Sequence, residues 1–81
     1  MSTLWTKPVT LALGEEGEDV TIDSTEAASW AMIEDWPTED GPALDKALLV
    51  CMDVVAGKKK DEDARRAFIA AAIEAGIVIR D

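Results

Sequence analysis

The chain reads as an α+β fold in which a β-hairpin is followed by three helices and a short C-terminal strand that joins the sheet, in the order β-β-α-α-α-β. Three observations carry that reading. Residues 4–13 alternate apolar and polar, the period of a half-buried strand. Residues 41–57, GPALDKALLVCMDVVAG, are apolar nearly all the way round a helix. Residues 62–75 carry Ala64, Ala67, Phe68, Ala71, Ala72 and Ala75 on one helical face.

In the first segment Trp5, Lys7, Val9, Leu11 and Leu13 point one way and Thr6, Pro8, Thr10 and Ala12 the other. Pro8 has no N–H for a ladder, so that part belongs at an edge or points its missing donor outward. Two glycines and four acids in residues 14–19, GEEGED, make a turn. Val20-Thr21-Ile22 alternates again and completes an antiparallel hairpin. Asp23 and Ser24 are candidate caps for a helix that carries Glu26 in its first turn. This helix ends near Trp36, because Pro37 disfavours helical backbone at the residue before it. Its faces are mixed: Ala27 with Ala31, Ala28 with Met32, and Trp30 with Ile33. It is expected to touch two surfaces.

The central helix is the pivot. Asp40 is its expected N-cap, Pro42 suits its first turn, and Gly57 suits its stop. Asp45, Lys46 and Asp53 fall in one narrow polar wedge, which predicts burial on most other sides. Leu49 projects into that wedge, either as an isolated exposed leucine or as a contact point for a partner. Lys58-Lys59-Lys60 and then Asp61-Glu62-Asp63 complement the dipoles of the two helix ends they join. In the last helix Ile69 and Ile73 lie off the alanine face, either against the sheet or on an exposed stripe. Gly76 is the expected stop, and Ile77-Val78-Ile79 the closing strand.

Composition narrows the function. Eighty-one residues make one small domain, spanning 1–81. Seventeen acids against eight bases give a net charge of −9, which repels nucleic acid and anionic membrane surfaces. No apolar run is long enough to span a bilayer, and the first thirteen residues do not resemble a signal peptide; a cytoplasmic location is expected. Histidine is missing altogether, which removes the commonest general base and metal ligand. The single Cys51 lies mid-helix on the apolar side and reads as a small core residue. Residues 15–26 have the length of a calcium loop, but Val20 stands where its turn requires glycine. Residues 56–59, AGKK, lack the upstream glycine and the hydroxyl of a phosphate loop. No catalytic constellation, metal site or cofactor site is expected. Trp5, Trp30 and Trp36 are each expected in the core, with one of them available for sharing with a partner.

The order of several residues nevertheless resembles a known family. They are Trp5 with Pro8-Val9, Ala27, Trp36-Pro37, Ala47 with Cys51 and Gly57, Ala64-Arg65 with Ala67-Phe68, Ala71, and Glu74-Ala75-Gly76-Ile77. Together they resemble the Domain of Unknown Function 982 family, small single-domain proteins of alpha-proteobacteria such as the rhizobia. The resemblance implies a cytoplasmic bacterial protein, assigns no activity and carries over no functional residue.

Three functions follow as expectations. A non-catalytic interaction or self-associating module would use the surplus apolar residues Trp30, Leu49, Ile69 and Ile73, with a protein partner or a second copy in a homodimer. A small anionic ligand would be held by Lys58, Lys59, Lys60, Arg65 and Arg66. An acidic decoy would occupy a basic, nucleic-acid-binding partner.

Overall fold

The computed structural model describes residues 4–13 and 17–80. Strands β1 (Leu4–Ala12) and β2 (Asp19–Ser24) form an antiparallel hairpin. Helices α1 (Thr25–Glu34), α2 (Pro42–Val55) and α3 (Asp61–Glu74) follow. The α+β class and the element order of the hairpin and helices are those expected. Residues 14–16 of the expected turn lie outside the described residues.

The hairpin register pairs Val9 with Ile22, Thr10 with Thr21, Leu11 with Val20 and Ala12 with Asp19. It is interrupted between Leu4 and Val9, the stretch that contains Pro8. A proline removes a ladder donor, so an irregular ladder there is physically reasonable. Alternation does the rest: Trp5, Val9, Leu11 and Ile22 are buried, while Thr6, Pro8 and Thr21 face outward.

The expected C-terminal strand is not formed. Residues 77–79 make one isolated bridge, Leu11 to Ile79, flanked by Ala12 N–H to the Val78 carbonyl (2.9 Å) and Arg80 N–H to the Thr10 carbonyl (2.7 Å). The segment lies beside β1, but three residues leave room for one bridged pair rather than a ladder. Arg80 Nε reaches Asp19 Oδ1 at 2.6 Å and ties the segment to β2 as well.

Local chemistry sets the helix ends. Ser24 caps α1, its Oγ accepting from the Ala27 N–H at 3.0 Å. Both later helices stop in full Schellman turns. In α2, Gly57 (φ 81°) donates to the Val54 carbonyl at 3.0 Å and Lys58 to the Asp53 carbonyl at 2.8 Å. In α3, Gly76 (φ 74°) donates to the Ile73 carbonyl at 3.1 Å and Ile77 to the Ala72 carbonyl at 3.0 Å. The start of α2 differs from expectation. Asp40 does not cap it; Gly41 occupies the cap position at φ 144° without a side chain to offer. The acceptor comes from the end of α3 instead. Glu74 takes the Ala43 N–H on Oε1 at 3.0 Å and the Leu44 N–H on Oε2 at 3.1 Å.

Phe68 is fully buried at the centre of the core. Its ring tilts against Trp5 at 5.9 Å and Trp36 at 5.4 Å between centroids. Around it Ala47, Ala64, Ala71 and Ala72 are fully buried, and these small side chains suit the close packing of α2 on α3. The core draws on β1, β2 and all three helices. Two expectations fail here. The central helix is not buried on most sides: Leu44, Ala47, Val50 and Cys51 are inside, whereas Leu49, Met52 and Val55 are exposed. Among the described residues, three helices and one hairpin provide no layer for that remaining flank. Trp30 is likewise not a core residue. The inward face of α1 is Thr25, Ala28, Ala31 and Met32, which leaves Trp30 and Ile33 on the solvent side.

Candidate functional site

Two kinds of surface were expected from the residues, an apolar one and a basic one. Of the four apolar candidates, Trp30 (57% exposed), Leu49 (62%) and Ile73 (67%) stand in solvent. Ile69 is half-buried and packs on the core, one turn from Ile73 on the same helix. The candidates therefore sit on three separate helices. Met52, Val55 and Ile33 are exposed as well and were not anticipated. Helical spacing contained the signal: Leu49 and Met52 are three apart, and so are Trp30 and Ile33.

The five basic candidates do not converge. Arg65 Nε donates to the Lys7 carbonyl at 2.7 Å, which pins the guanidinium to β1. It lines a recess of about 430 Å³ with Leu4, Trp5, Lys7, Asp61 and Glu62. Arg66 instead pairs with Glu62 at 2.9 Å, both side chains largely in water, where such a pair contributes little. With Lys59 it borders a second groove, between α2 and α3. Lys46 and Asp63 also line that groove, over Val50 and Ala67. Lys58 and Lys60 are exposed and line neither cavity. Lys60 spends its backbone on the start of α3, its N–H donating to Asp63 Oδ2 at 3.1 Å.

Behind the first recess lies a polar relay with no counterpart among the sequence expectations. Trp5 Nε1–H donates to Thr25 Oγ1 at 3.1 Å, and the Thr25 hydroxyl donates to Asp61 Oδ1 at 2.7 Å. Thr25 is buried, so the relay satisfies groups that would otherwise be desolvated without partners. It joins β1, α1 and the first residue of α3. Its geometry is that of a structural tie: each hydroxyl and N–H is already engaged.

Cys51 is inside α2, and burial pushes its thiol up from 9.0 to about 11. At neutral pH it is a protonated core side chain with little nucleophilic character. Among the described residues no group of three or more Asp, Glu or Cys side chains is placed to hold a metal ion. No helix among them is long and apolar enough to cross a membrane.

Comparison with known proteins adds to this geometry. No curated protein matches the chain. Among solved structures, the NMR structure of Agrobacterium tumefaciens protein Atu1219 is similar, with a TM-score of 0.80 at 30% identity. The match covers 98% of this chain and 78% of that one. The family model described as "Protein of unknown function (DUF982)" matches residues 7–79. With a match over nearly its whole length, the chain belongs to the DUF982 family.

Proposed function

We propose that this chain is a non-catalytic protein-interaction or self-associating module of the bacterial cytoplasm. One observation carries the reading. Trp30, Ile33, Leu49, Met52 and Val55 are large apolar side chains on the solvent faces of two consecutive helices. Apolar side chains scattered singly are ordinary surface; pairs at helical spacing on neighbouring elements are the kind that docking covers. Composition supports the non-catalytic part: no histidine is present, and the one cysteine is buried and protonated. Sedimentation over a concentration series tests it. Association weakened by Leu49→Glu or Trp30→Glu is expected. A chain that stays monomeric and retains no apolar-dye binding at these faces would refute it.

A second reading has one specific observation behind it. Lys46, Lys59 and Arg66 border a single groove and would attract a small anionic ligand. Asp63 in the same groove opposes this. A thermal-shift series with inorganic phosphate and nucleotides that moves the melting temperature would favour it; no shift discards it.

A further inference from the structure

We propose that the solvent face of α1 docks a basic segment of a different protein, one that carries an apolar side chain between arginines or lysines. The proposal rests on the protein-interaction reading and names the face and the chemistry of its partner.

The face follows from helical spacing. Thr25, Ala28, Ala31 and Met32 are the inward side of α1. Glu26, Trp30 and Ile33 lie opposite them, within about 60° of one another around the axis. Trp30 and Ile33 are 57% and 65% exposed. They form an apolar pair with Glu26 before it and Glu34 and Asp35 after it. These three carboxylates are exposed and have no ion-pair or hydrogen-bond partner among the described residues. Neither the Arg65 recess nor the groove between α2 and α3 takes a lining residue from α1. The face is a ridge rather than a pocket, which suits a macromolecule and not a small ligand.

Charge selects the macromolecule. Residues 8–45 hold eleven of the seventeen acids and none of the eight bases. The fold places most of the bases elsewhere. Lys7 and Arg65 line one recess, and Lys46, Lys59 and Arg66 border the other. Arg80 is held by Asp19. Lys58 and Lys60 stand at the turn before α3. Lys60 adjoins Asp61, which holds Thr25 on the inward side of α1. Trp30 and Ile33 lie about 7.5 and 12 Å farther along that helix. Nucleic acid and anionic bilayers are repelled by such a face. A second copy is disfavoured as well: it carries a net charge of −9, and its lysines run directly into Asp61-Glu62-Asp63. A basic segment instead meets acids on both flanks of the apolar pair. An arginine laid on the exposed Trp30 ring also gains a cation–π contact.

Fluorescence anisotropy of labelled synthetic peptides, titrated with the full chain, tests the face. Three amphipathic peptides of equal length are the probes: leucine with arginine, serine with arginine, and leucine with glutamate. The leucine–arginine peptide is expected to bind most tightly. Trp30→Ala and Ile33→Ala are each expected to weaken it by about tenfold, at low and at high salt alike. Glu26→Lys combined with Glu34→Lys is expected to weaken it too, by a margin that shrinks as salt rises. Leu49→Ala is expected to change nothing. All of these side chains are exposed, and far-UV dichroism with a melt checks that the variants remain folded. Equal binding of the serine–arginine peptide, unaffected by Trp30→Ala, would overturn the face and leave only the attraction of the whole acidic body. Equal binding of the leucine–glutamate peptide would overturn the charge argument. Loss of binding with Leu49→Ala but not with Trp30→Ala would overturn α1 and leave the interaction reading standing. No binding of any peptide would overturn the basic partner; self-association in sedimentation would then keep the interaction reading, and a monomer without dye binding would end both.

Discussion

Thr25 shows how one hydroxyl can decide the seating of three elements. It accepts from Trp5 and donates to Asp61, and it is buried while doing so. Thr25→Val keeps the shape and strands both partners, and should cost about 1–3 kcal/mol in urea unfolding followed by tryptophan fluorescence. Thr25→Ser, which keeps the hydroxyl, should recover most of that loss. Trp36 differs from Trp5: its Nε1 is buried without a hydrogen-bond partner among the described residues. Cys51 provides a pH test with a definite sign. Its thiol ionises near 9.0 in the unfolded chain and near 11 in the fold, so unfolding releases a proton between those values. Its contribution to stability is complete below pH 9 and falls as pH rises toward 11. The slope is at most about 1.4 kcal/mol per pH unit. Chemical denaturation across that range, compared with Cys51→Ala, isolates it; equal slopes in the two proteins would disprove it.

At the scale of the element, α2 illustrates dependence on a distant residue. Two donors at its start are satisfied by Glu74, thirty-one positions away from Ala43 along the chain. The carboxylate also suits the positive end of the helix dipole. Glu74→Ala should destabilise by about 0.5–2 kcal/mol, and Glu74→Gln by less, since the amide oxygen still accepts. Gly41→Ala should also destabilise. Its φ of 144° is unsuited to a side chain, and an added Cβ would sit 2.5 Å from Glu74 Oε2. Thermal melts of the three variants check the order. Nothing in residues 37–42 signals this cap, because Asp40 satisfies every local rule for an N-cap. By contrast Ser24, Gly57 and Gly76 were legible, since their partners lie within five residues.

Across the whole molecule the dominant fact is charge. Nine surplus negative charges occupy a body with extents of 35 × 24 × 18 Å. Most pairs of carboxylates are then within reach of one another at low salt, where the screening length is about 30 Å at 0.01 M. Raising salt to about 0.1 M shortens that to about 10 Å and should raise the melting temperature. The test belongs at low protein concentration, where association does not contribute. A melting temperature that falls with salt would mean that the attractive pairs outweigh the repulsion. The similarity to the Agrobacterium protein, at 30% identity and a TM-score of 0.80, shows that the same arrangement tolerates extensive change of side chains.

Taken alone, the order of residues was enough to determine the class, the hairpin, the three helices and the alanine face around Phe68. Each of these depends on periodicity or on caps within one or two turns. The site was less legible. The sequence singles out Leu49, Ile69, Ile73 and Trp30 as surplus apolar side chains, but it places Trp30 equally well in the core, and Met52 and Val55 on a buried flank. Apolar character says that a side chain prefers burial; it does not say whether a small chain has a layer left to bury it. That was decided by packing, which set α1 and α3 against α2 and, among the described residues, left Leu49, Met52 and Val55 exposed. Packing also separated Arg65 from Arg66, neighbours in sequence, into different recesses. A helix turns by about 100° per residue, so adjacency along the chain does not make adjacency on a surface.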